Sequence, residues 1–308
     1  MSPARAGDSR LRAVFISDVH LGSRHCHAAE LAEFLAGLQC RKLYLVGDIV
    51  DLWWLAQKRA VWGAAQHRVV EALHALARKG TELIYVPGNH DRPIRRFCGL
   101  MLPQMSVRRR VIHTLLDGRR LLVTHGDDYD AATRWQLSLP VGNSSAPTTP
   151  IASSKRDEAI APFTQGGWRG FVRNLEYELG DWLYYVILHG NRMTNALRRR
   201  FGLRYWSLAD FLKRQSGAAE RYIERFMHAG LADARRRGLD GIVCGHIHRA
   251  DLCTVEGLVY ANDGDWVESL SALAEDAEGN LCLIEHGGIE RIRLHSRARP
   301  LRLLPQAA

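Results

Sequence analysis

Five short stretches of this 308-residue chain place Asp, Asn or His directly after an apolar run that predicts a buried strand. Carboxylate, amide and imidazole groups are the side chains that bind divalent metal ions and transfer protons. Their repetition at equivalent strand ends predicts a metal-dependent catalytic centre. The candidate metal ligands are Asp18, His20, Asp48, Asn89, His125, His246 and His248.

Asp48 is the candidate for a ligand shared by two metal ions. It follows the apolar residues 43–46 and a glycine, which indicates the carboxyl end of a strand. Ligands of open α/β sheets collect beyond such ends, and the two oxygens of a carboxylate can each bind a cation. A Gly-Asp pair alone is more often a simple turn, so the other four stretches carry the metal hypothesis.

Three residues beside the candidate ligands are expected to support the chemistry. Asp51 lies three positions after Asp48 and is expected to orient the ligands by hydrogen bonding. His90 follows Asn89 and is expected to act on the reacting phosphate as a cation or proton donor. Asp91 is expected to hold the His90 imidazole, which makes His90 and Asp91 the predicted catalytic residues. Turn formation is the alternative explanation of Asn-His-Asp.

Strands and helices in alternation must position these residues. Apolar runs predict strands at 13–16, 43–46, 82–86 and 241–244, and helical spacing predicts helices at about 28–38, 61–79 and 218–237. Turn signals predict hairpins at 111–124 and 251–261, and two more strands are expected at 267–273 and 281–285. Trp53 and Trp54 are expected to form an aromatic wall or to lie in the core, and the core is favoured.

A long segment, 128–217, interrupts this pattern between two of the predicted ligand strands. Residues 142–154 are rich in Ser, Thr and Pro, which indicates a flexible loop. The remainder is helical in pattern and rich in aromatic residues and arginine. We therefore expect a helical cap at 128–217, inserted into a catalytic domain at 11–296 that is followed by a basic tail at 297–308.

Composition favours anionic partners. Lys and Arg number 42 and Asp and Glu 33, a net charge of +9, which suits nucleotides, nucleic acid or an anionic membrane surface. The six cysteines are scattered, as expected for reduced thiols in the cytosol. The N-terminal residues do not resemble a secretory signal, and no apolar run approaches the ~18 residues of a membrane span. Membrane contact is therefore expected to be peripheral.

Taken together, the five stretches resemble the calcineurin-like metallophosphoesterase family, whose motifs are D-x-H, G-D-x-x-D, G-N-H-D, H and G-H-x-H. The resemblance covers about 13–285 apart from the insertion. It implies an α/β fold of the α+β type, a four-layer αββα sandwich of two mixed sheets. It also implies two divalent metal ions, with Mn²⁺ favoured and Fe, Zn and Mg as alternatives. Asp18, His20 and His248 would bind one ion, Asn89, His125 and His246 the other, and Asp48 both.

Within that family the chain is similar to the pyrophosphatases of lipid A synthesis that act on UDP-2,3-diacylglucosamine. The similarity lies in residues 17–22, 125–127, 245–249 and 262–268 and in the aromatic insertion. It implies release of UMP and a lipid sugar 1-phosphate from a nucleotide-linked glycolipid at the cytoplasmic face of the inner membrane. The expected substrate-binding residues are Arg249, Asp128, Trp182 and Arg192. His90 is a departure, because the best-known members of that group have Arg at this position.

Two other functions stay open on the sequence. The first is a phosphodiesterase of nucleic acid or small phosphodiesters, with the arginine runs 108–110, 198–200 and 235–237 as its binding surface. Such runs are more often solvated faces, so nucleic acid is the less favoured partner. The second is a scaffold that has kept the fold without activity, which the full set of candidate ligands disfavours.

Overall fold

The computed structural model describes residues 10–57, 60–130, 217–286, 288–293 and 295–296. By internal contacts the chain divides into two units, 1–133 with 212–308 and 134–211, and the described residues all belong to the first. Most of the predicted cap, with Trp182 and Arg192, lies outside the described residues, as does the tail from 297. The predicted domain boundaries therefore stay predictions.

Fourteen strands and four α-helices make up the part of the chain that the structure describes. The strands are β1 (Leu11–Ile16), β2 (Cys40–Leu45), β3 (Glu82–Tyr85), β4 (Met101–Leu102), β5 (Met105–Val107), β6 (Val111–Thr114), β7 (Arg120–Val123), β8 (Gly241–Cys244), β9 (Asp251–Val255), β10 (Leu258–Asn262), β11 (Ser271–Glu275), β12 (Leu281–Glu285), β13 (Gly288–Arg293) and β14 (His295–Ser296). The α-helices are α1 (Ala28–Gly37), α2 (Leu52–Ala56), α3 (Ala64–Arg78) and α4 (Gly217–Arg236). Two short 3₁₀ helices span Arg92–Phe97 and Asp127–Tyr129.

The strands form two mixed sheets. The eight-stranded sheet has the order β13-β12-β11-β1-β2-β3-β5-β4, and the six-stranded sheet has the order β14-β9-β10-β8-β7-β6. In the first sheet β1, β2 and β3 are parallel neighbours, and in the second β7, β8 and β10 are. Because parallel strands end at the same edge of a sheet, the loops after these strands are brought together.

Each sheet is buried on both faces, because successive side chains along a strand pack on opposite sides. Along β1, Ala13 and Phe15 pack in a cluster with residues of β7 and β8, whereas Val14 and Ile16 pack in a cluster with α1 and α3. Successive strand residues point to opposite faces, so one face of the first sheet meets the second sheet and the other meets helices. A third cluster packs α4 against the second sheet. The four layers confirm the predicted αββα class.

The predicted hairpins, the helices over 28–38 and 61–79, and the strands before the five candidate stretches are all present within a few residues of their expected bounds. The core prediction for Trp53 is wrong: its side chain is 50% exposed, because none of the residues of the five-residue helix α2 is fully buried. Strands β4 and β5 were not predicted. No helix among the described residues has the length and apolar character needed to span a membrane.

A buried ionic cluster joins the two sheets at β11 and β6. Glu275 accepts hydrogen bonds from Arg12 Nε at 2.9 Å, His113 Nε2 at 2.9 Å and the Leu116 amide at 2.8 Å. A carboxylate only accepts, so His113 carries its hydrogen on Nε2, and its Nδ1 lies 3.0 Å from the Tyr44 hydroxyl. Burial alone would raise the pKa of Glu275, but the His113 and Leu116 hydrogen bonds outweigh it and lower the pKa.

We expect Glu275→Gln to lower the free energy of unfolding by roughly 2–4 kcal/mol, because the buried donors lose their charged acceptor. Glu82→Gln is the control: its carboxylate is half exposed and 3.5 Å from Lys42 Nζ, so the change should stay within about 0.5 kcal/mol. Folding lowers the pKa of Glu275. The contribution of this carboxylate to the free energy of unfolding is therefore fully present above the ordinary pKa of 4.5, and it is lost as the pH falls through the lower pKa of the folded state. Urea unfolding at pH 7 and pH 4 measures both effects, and equal stability of the two variants would contradict them.

Candidate metal centre

The candidate ligands lie in five loops, each of which follows a parallel strand of one of the two sheets. Asp18 and His20 follow β1, Asp48 follows β2, Asn89 follows β3, His125 follows β7, and His246 and His248 follow β8. Three groups of possible ligand atoms result, and within each group the atoms lie within 4.8 Å of one another. The groups are Asp18, His20 and His248; Asp48, His125 and His246; and His20, Asp48 and His90.

Two buried polar atoms of the first group, Asp18 Oδ1 and His20 Nε2, have no hydrogen-bond partner among the described residues. They lie 3.9 Å apart, and Asp18 Oδ1 is 3.4 Å from His248 Nε2. A buried polar atom left without a partner costs ~1–3 kcal/mol. The atoms of this group therefore fit a divalent cation, which would satisfy all three together.

The second group is arranged around Asp48 and His125. His125 Nδ1 donates to the Val46 carbonyl at 2.8 Å, which leaves Nε2 available as a ligand. That Nε2 atom is 3.3 Å from Asp48 Oδ2 and 3.2 Å from Asn89 Oδ1. Asp48 Oδ2 is also 4.0 Å from His20 Nε2, in the first group. Asp48 thus lies between the two groups, where a shared ligand is expected.

Five of the candidate ligands have a left-handed backbone conformation. Their φ values are 50° at Asp18, 51° at His20, 54° at Asp48, 72° at His246 and 49° at His248. Only two other non-glycine residues of the described chain have positive φ. This conformation costs ~1–3 kcal/mol per residue and is retained where the surroundings enforce it. Sequence reasoning missed it, because Asp and His carry no signal as strong as that of glycine.

Glycines next to the ligands allow the loops to approach one another. A Cβ atom on Gly88 would lie 2.7 Å from His125 Cδ2, and one on Gly245 would lie 2.6 Å from Ser17 Cβ. Both distances are far below an ordinary contact, so any side chain would displace the ligands. The glycines of the G-N-H-D and G-H-x-H stretches are therefore required by packing.

Asp51 holds two of the histidines. Its Oδ2 atom is 3.2 Å from His20 Nδ1 and 3.2 Å from His90 Nδ1, and its Oδ1 accepts from the Trp54 amide at 3.0 Å. Because a carboxylate only accepts, both Nδ1 atoms carry hydrogen, and both Nε2 atoms are available for other work. Burial would lower the pKa of His20, but the Asp51 hydrogen bond and the charges of Asp48 and Asp18 raise it to about 9.

The structure contradicts the predicted contact between Asp91 and the His90 imidazole, since it is Asp51 that occupies that position. Asp91 is fully buried and braces the loops after β2 and β3. Its carboxylate accepts hydrogen bonds from the Ile49 amide at 2.9 Å, the Gly88 amide at 2.6 Å and the Tyr85 hydroxyl at 2.6 Å. Asp91 is therefore a positioning residue for the loops.

Two of the four predicted substrate-binding residues, Arg249 and Asp128, lie in the described part of the chain. Arg249 follows His248, but its largely buried side chain points to Glu220 of α4, with Nη1 3.6 Å from Oε2. Asp128 is paired with Arg109 at 3.1 Å and with Arg110 at 2.9 Å, so its carboxylate is already engaged. Trp182 and Arg192 lie outside the described residues.

Comparison with known proteins gives one family and a set of relatives. The family model described as calcineurin-like phosphoesterase matches residues 11–250. The UDP-2,3-diacylglucosamine hydrolase of Histophilus somni is 31% identical over 121 residues, which cover 37% of this chain and 48% of that protein. This chain thus spans about half the length of that relative. The UDP-2,3-diacylglucosamine hydrolase of Xanthomonas campestris pv. campestris is 27% identical over 286 residues, 86% of this chain and 96% of its own.

Among solved structures, a dimetal phosphatase from Danio rerio covers 92% of this chain and 98% of its own, with a TM-score of 0.37 and 12% identity. The family match takes in all five ligand-bearing loops, five strands of the eight-stranded sheet and three strands of the six-stranded sheet. The resemblance found in the sequence is thereby confirmed at the level of the family. The chain belongs to the calcineurin-like phosphoesterase family.

Proposed function

We propose that this chain is a dinuclear-metal hydrolase that cleaves the pyrophosphate bond of UDP-2,3-diacylglucosamine or a related nucleotide-linked glycolipid. The products would be UMP and a lipid sugar 1-phosphate. The proposal of a hydrolase rests on the convergence of ligand atoms from five loops into groups in which all atoms lie within 4.8 Å of one another. The substrate is supported by relatives named for it, one of which aligns over 96% of its own length.

The residues that would hold the metal ions are those of the two groups around Asp48. Asp18, His20 and His248 would bind one ion, Asn89, His125 and His246 the other, and Asp48 both. Oxygen and imidazole ligands in this mixture favour Mn²⁺, with Fe, Zn and Mg as alternatives. Two bound ions supply a nucleophile at neutral pH and neutralise charge on the phosphoryl group.

Besides the bound metal ions, the catalytic group is the side chain of His90. Asp51 fixes its Nδ1, and the side chain is 28% exposed, so Nε2 can reach a substrate in the site. As an imidazolium, with hydrogen on both ring nitrogens, His90 would donate a hydrogen bond or the Nε2 proton to the phosphate oxygen that leaves. Asp51 acts through His90 and His20 and is a positioning residue.

The nucleic-acid alternative has less support from the described arginine runs. Arg109 and Arg110 are paired with Asp128, Arg235 with Glu256, and Arg236 and Arg237 with Asp233. Arginines engaged in this way neutralise the protein's own carboxylates and offer fewer contacts to phosphates. The glycolipid substrate would place the protein at the cytoplasmic face of the inner membrane, and this location is part of the proposal.

The proposed substrate is tested by incubating the metal-loaded protein with UDP-2,3-diacylglucosamine, UDP-N-acetylglucosamine and bis(p-nitrophenyl) phosphate. We expect UMP release from the acylated nucleotide to be the fastest reaction. Asp48→Ala should abolish turnover of all three, because it removes the shared ligand, and its metal content should fall. Equal rates on the two UDP-sugars would refute the glycolipid assignment, and full activity of Asp48→Ala would refute the metal centre.

His90→Ala should lower kcat by roughly 10²-fold or more, the size expected when a positioned acid or charge stabiliser is lost. Its metal content, measured by mass spectrometry, should equal that of the wild type. His67→Ala is the control, because His67 is an exposed histidine of α3. His90 also belongs to a group with His20 and Asp48, so loss of one metal in His90→Ala would make it a ligand instead.

Asp51→Asn should lower activity and metal affinity by about 10–100-fold, because an amide cannot accept from both histidines as a carboxylate does. Asp51→Asn keeps the cap of α2, since the amide oxygen can still accept from the Trp54 amide, and it loses only the charged acceptor of the two histidines. Asp51→Ala should lose that cap as well, at a cost of ~1 kcal/mol. Thermal unfolding and metal titration separate the two effects, and wild-type metal affinity in Asp51→Asn would contradict the positioning role.

A further inference from the structure

Residues 92–110 form a projection that we call the edge hairpin. The 3₁₀ helix Arg92–Phe97 leads into β4 and β5, which pair antiparallel at the outer edge of the eight-stranded sheet. Every residue from 96 to 104 is exposed. The large apolar side chains among them are Phe97 (59% exposed), Leu100 (44%), Met101 (69%) and Leu102 (53%). Four such side chains within six residues form an apolar end that the described chain does not cover.

The edge hairpin contains six arginines and no acidic residue. Arg95, Arg109 and Arg110 are paired with Asp127 and Asp128 at 2.7–3.1 Å. In the described part of the chain, no carboxylate oxygen lies within ion-pair distance, 4.0 Å, of a side-chain nitrogen of the other three arginines, Arg92, Arg96 and Arg108. Arg108 Nη2 lies 3.4 Å from Met101 Sδ, which places a cation directly beside the apolar end.

We propose that the edge hairpin docks the protein on an anionic phospholipid surface. The apolar end would enter the boundary between head groups and acyl chains, and Arg92, Arg96 and Arg108 would meet the lipid phosphates. Apolar side chains bordered by cations are the combination that peripheral membrane segments use. Charge complementarity selects this partner, because the hairpin offers only positive charge.

Two other occupants match the edge hairpin less well. A second copy of the chain, paired about a two-fold axis, would bring one set of arginines against the other, which is repulsive. A nucleic acid would use the arginines, but of the four exposed apolar side chains only Phe97 is aromatic and could stack on a base, and the other three would stay uncovered. An anionic bilayer uses both features.

The edge hairpin is tied to the loop that carries His90. Arg95 Nη2 donates to the Pro87 carbonyl at 3.2 Å and to Asp127 at 2.7 Å, and the Ile94 amide donates to the Asp91 carbonyl at 2.9 Å. The loop from Pro87 to Asp91 also contains Asn89 and His90. Docking would therefore hold this loop close to the lipid surface in which an acylated substrate resides. The role of this loop toward an acylated substrate rests on the proposed function, whereas the docking of the edge hairpin on lipid does not.

Vesicle co-sedimentation of the full-length protein tests the docking. We expect binding to vesicles of phosphatidylcholine with phosphatidylglycerol, little binding to phosphatidylcholine alone, and weakening by salt. The triple variant Leu100→Ser, Met101→Ser, Leu102→Ser should bind on the order of 10²-fold less tightly, since it loses the inserted apolar surface. Val70→Ser with Ile112→Ser is the matched control, because these apolar residues are 48% and 48% exposed outside the edge hairpin.

The charge contribution is tested with Arg96→Glu and Arg108→Glu together, which should reduce binding to anionic vesicles roughly 10-fold or more. Arg68→Glu with Arg78→Glu is the control, because these are exposed arginines of α3. Cys98 provides a direct probe: it is the exposed cysteine of the six, and the others are partly or fully buried. An environment-sensitive fluorophore on Cys98 should shift to the blue when anionic vesicles are added.

The proposal is overturned if the wild type does not bind anionic vesicles, or if the triple variant binds them as tightly as the control Val70→Ser with Ile112→Ser. Self-association of the wild type without lipid, abolished in the triple variant, would assign the apolar end to a second copy instead. All variants should keep wild-type turnover of bis(p-nitrophenyl) phosphate, which shows that the fold is intact. Docking without UMP release from UDP-2,3-diacylglucosamine in detergent would refute the proposed substrate and leave the docking surface standing.

Discussion

The rest of the structure depends on accommodating two carboxylates, Asp18 and Asp48, inside the protein, where a carboxylate is costly to bury. The chain supplies the compensation from several loops. Asp18 Oδ2 accepts from the Ser17 hydroxyl at 2.6 Å and from the His246 amide at 2.8 Å. Burial would raise the pKa of Asp48, but His125 and His20 lower it well below its usual range. Two sheets, and three loops in which five ligand residues have a left-handed backbone, are the framework that these contacts require.

The sequence was sufficient to predict the ligand-bearing loops, because they depend on local signals, whereas the layers were implied by the resemblance to the family. A strand buried on both faces is a run of apolar residues, and each run here ends at the residues that enter the site. Strands β4 and β5 have two and three residues, too few for any periodicity to be read. The exposure of Trp53 could not be predicted from the sequence either, because it depends on which face of a five-residue helix meets the sheet.

The exchange of roles between Asp51 and Asp91 shows where sequence reasoning fails. Both lie within three residues of a candidate ligand, and adjacency favoured Asp91 as the partner of His90. The tertiary fold decides otherwise, because the loop after β2 lies against the loop after β3 and brings Asp51 to the imidazole. Asp128 is a similar case, since its partners Arg109 and Arg110 are 19 and 18 residues away along the chain. The arginine runs suggested a phosphate-binding surface, but the structure assigns several of these arginines to its own carboxylates.

The ligand loops bond to one another in register beyond the ends of their strands. The Asp18 amide donates to Gly47 O at 3.0 Å, the His20 amide to Asp48 O at 2.8 Å, and the Gly245 amide to His125 O at 3.1 Å. These bonds continue the pairing of β1 with β2 and of β7 with β8, so opening any of these four loops would break hydrogen bonds that extend a sheet. Cooperativity follows: the site is assembled by the same transition that folds the chain.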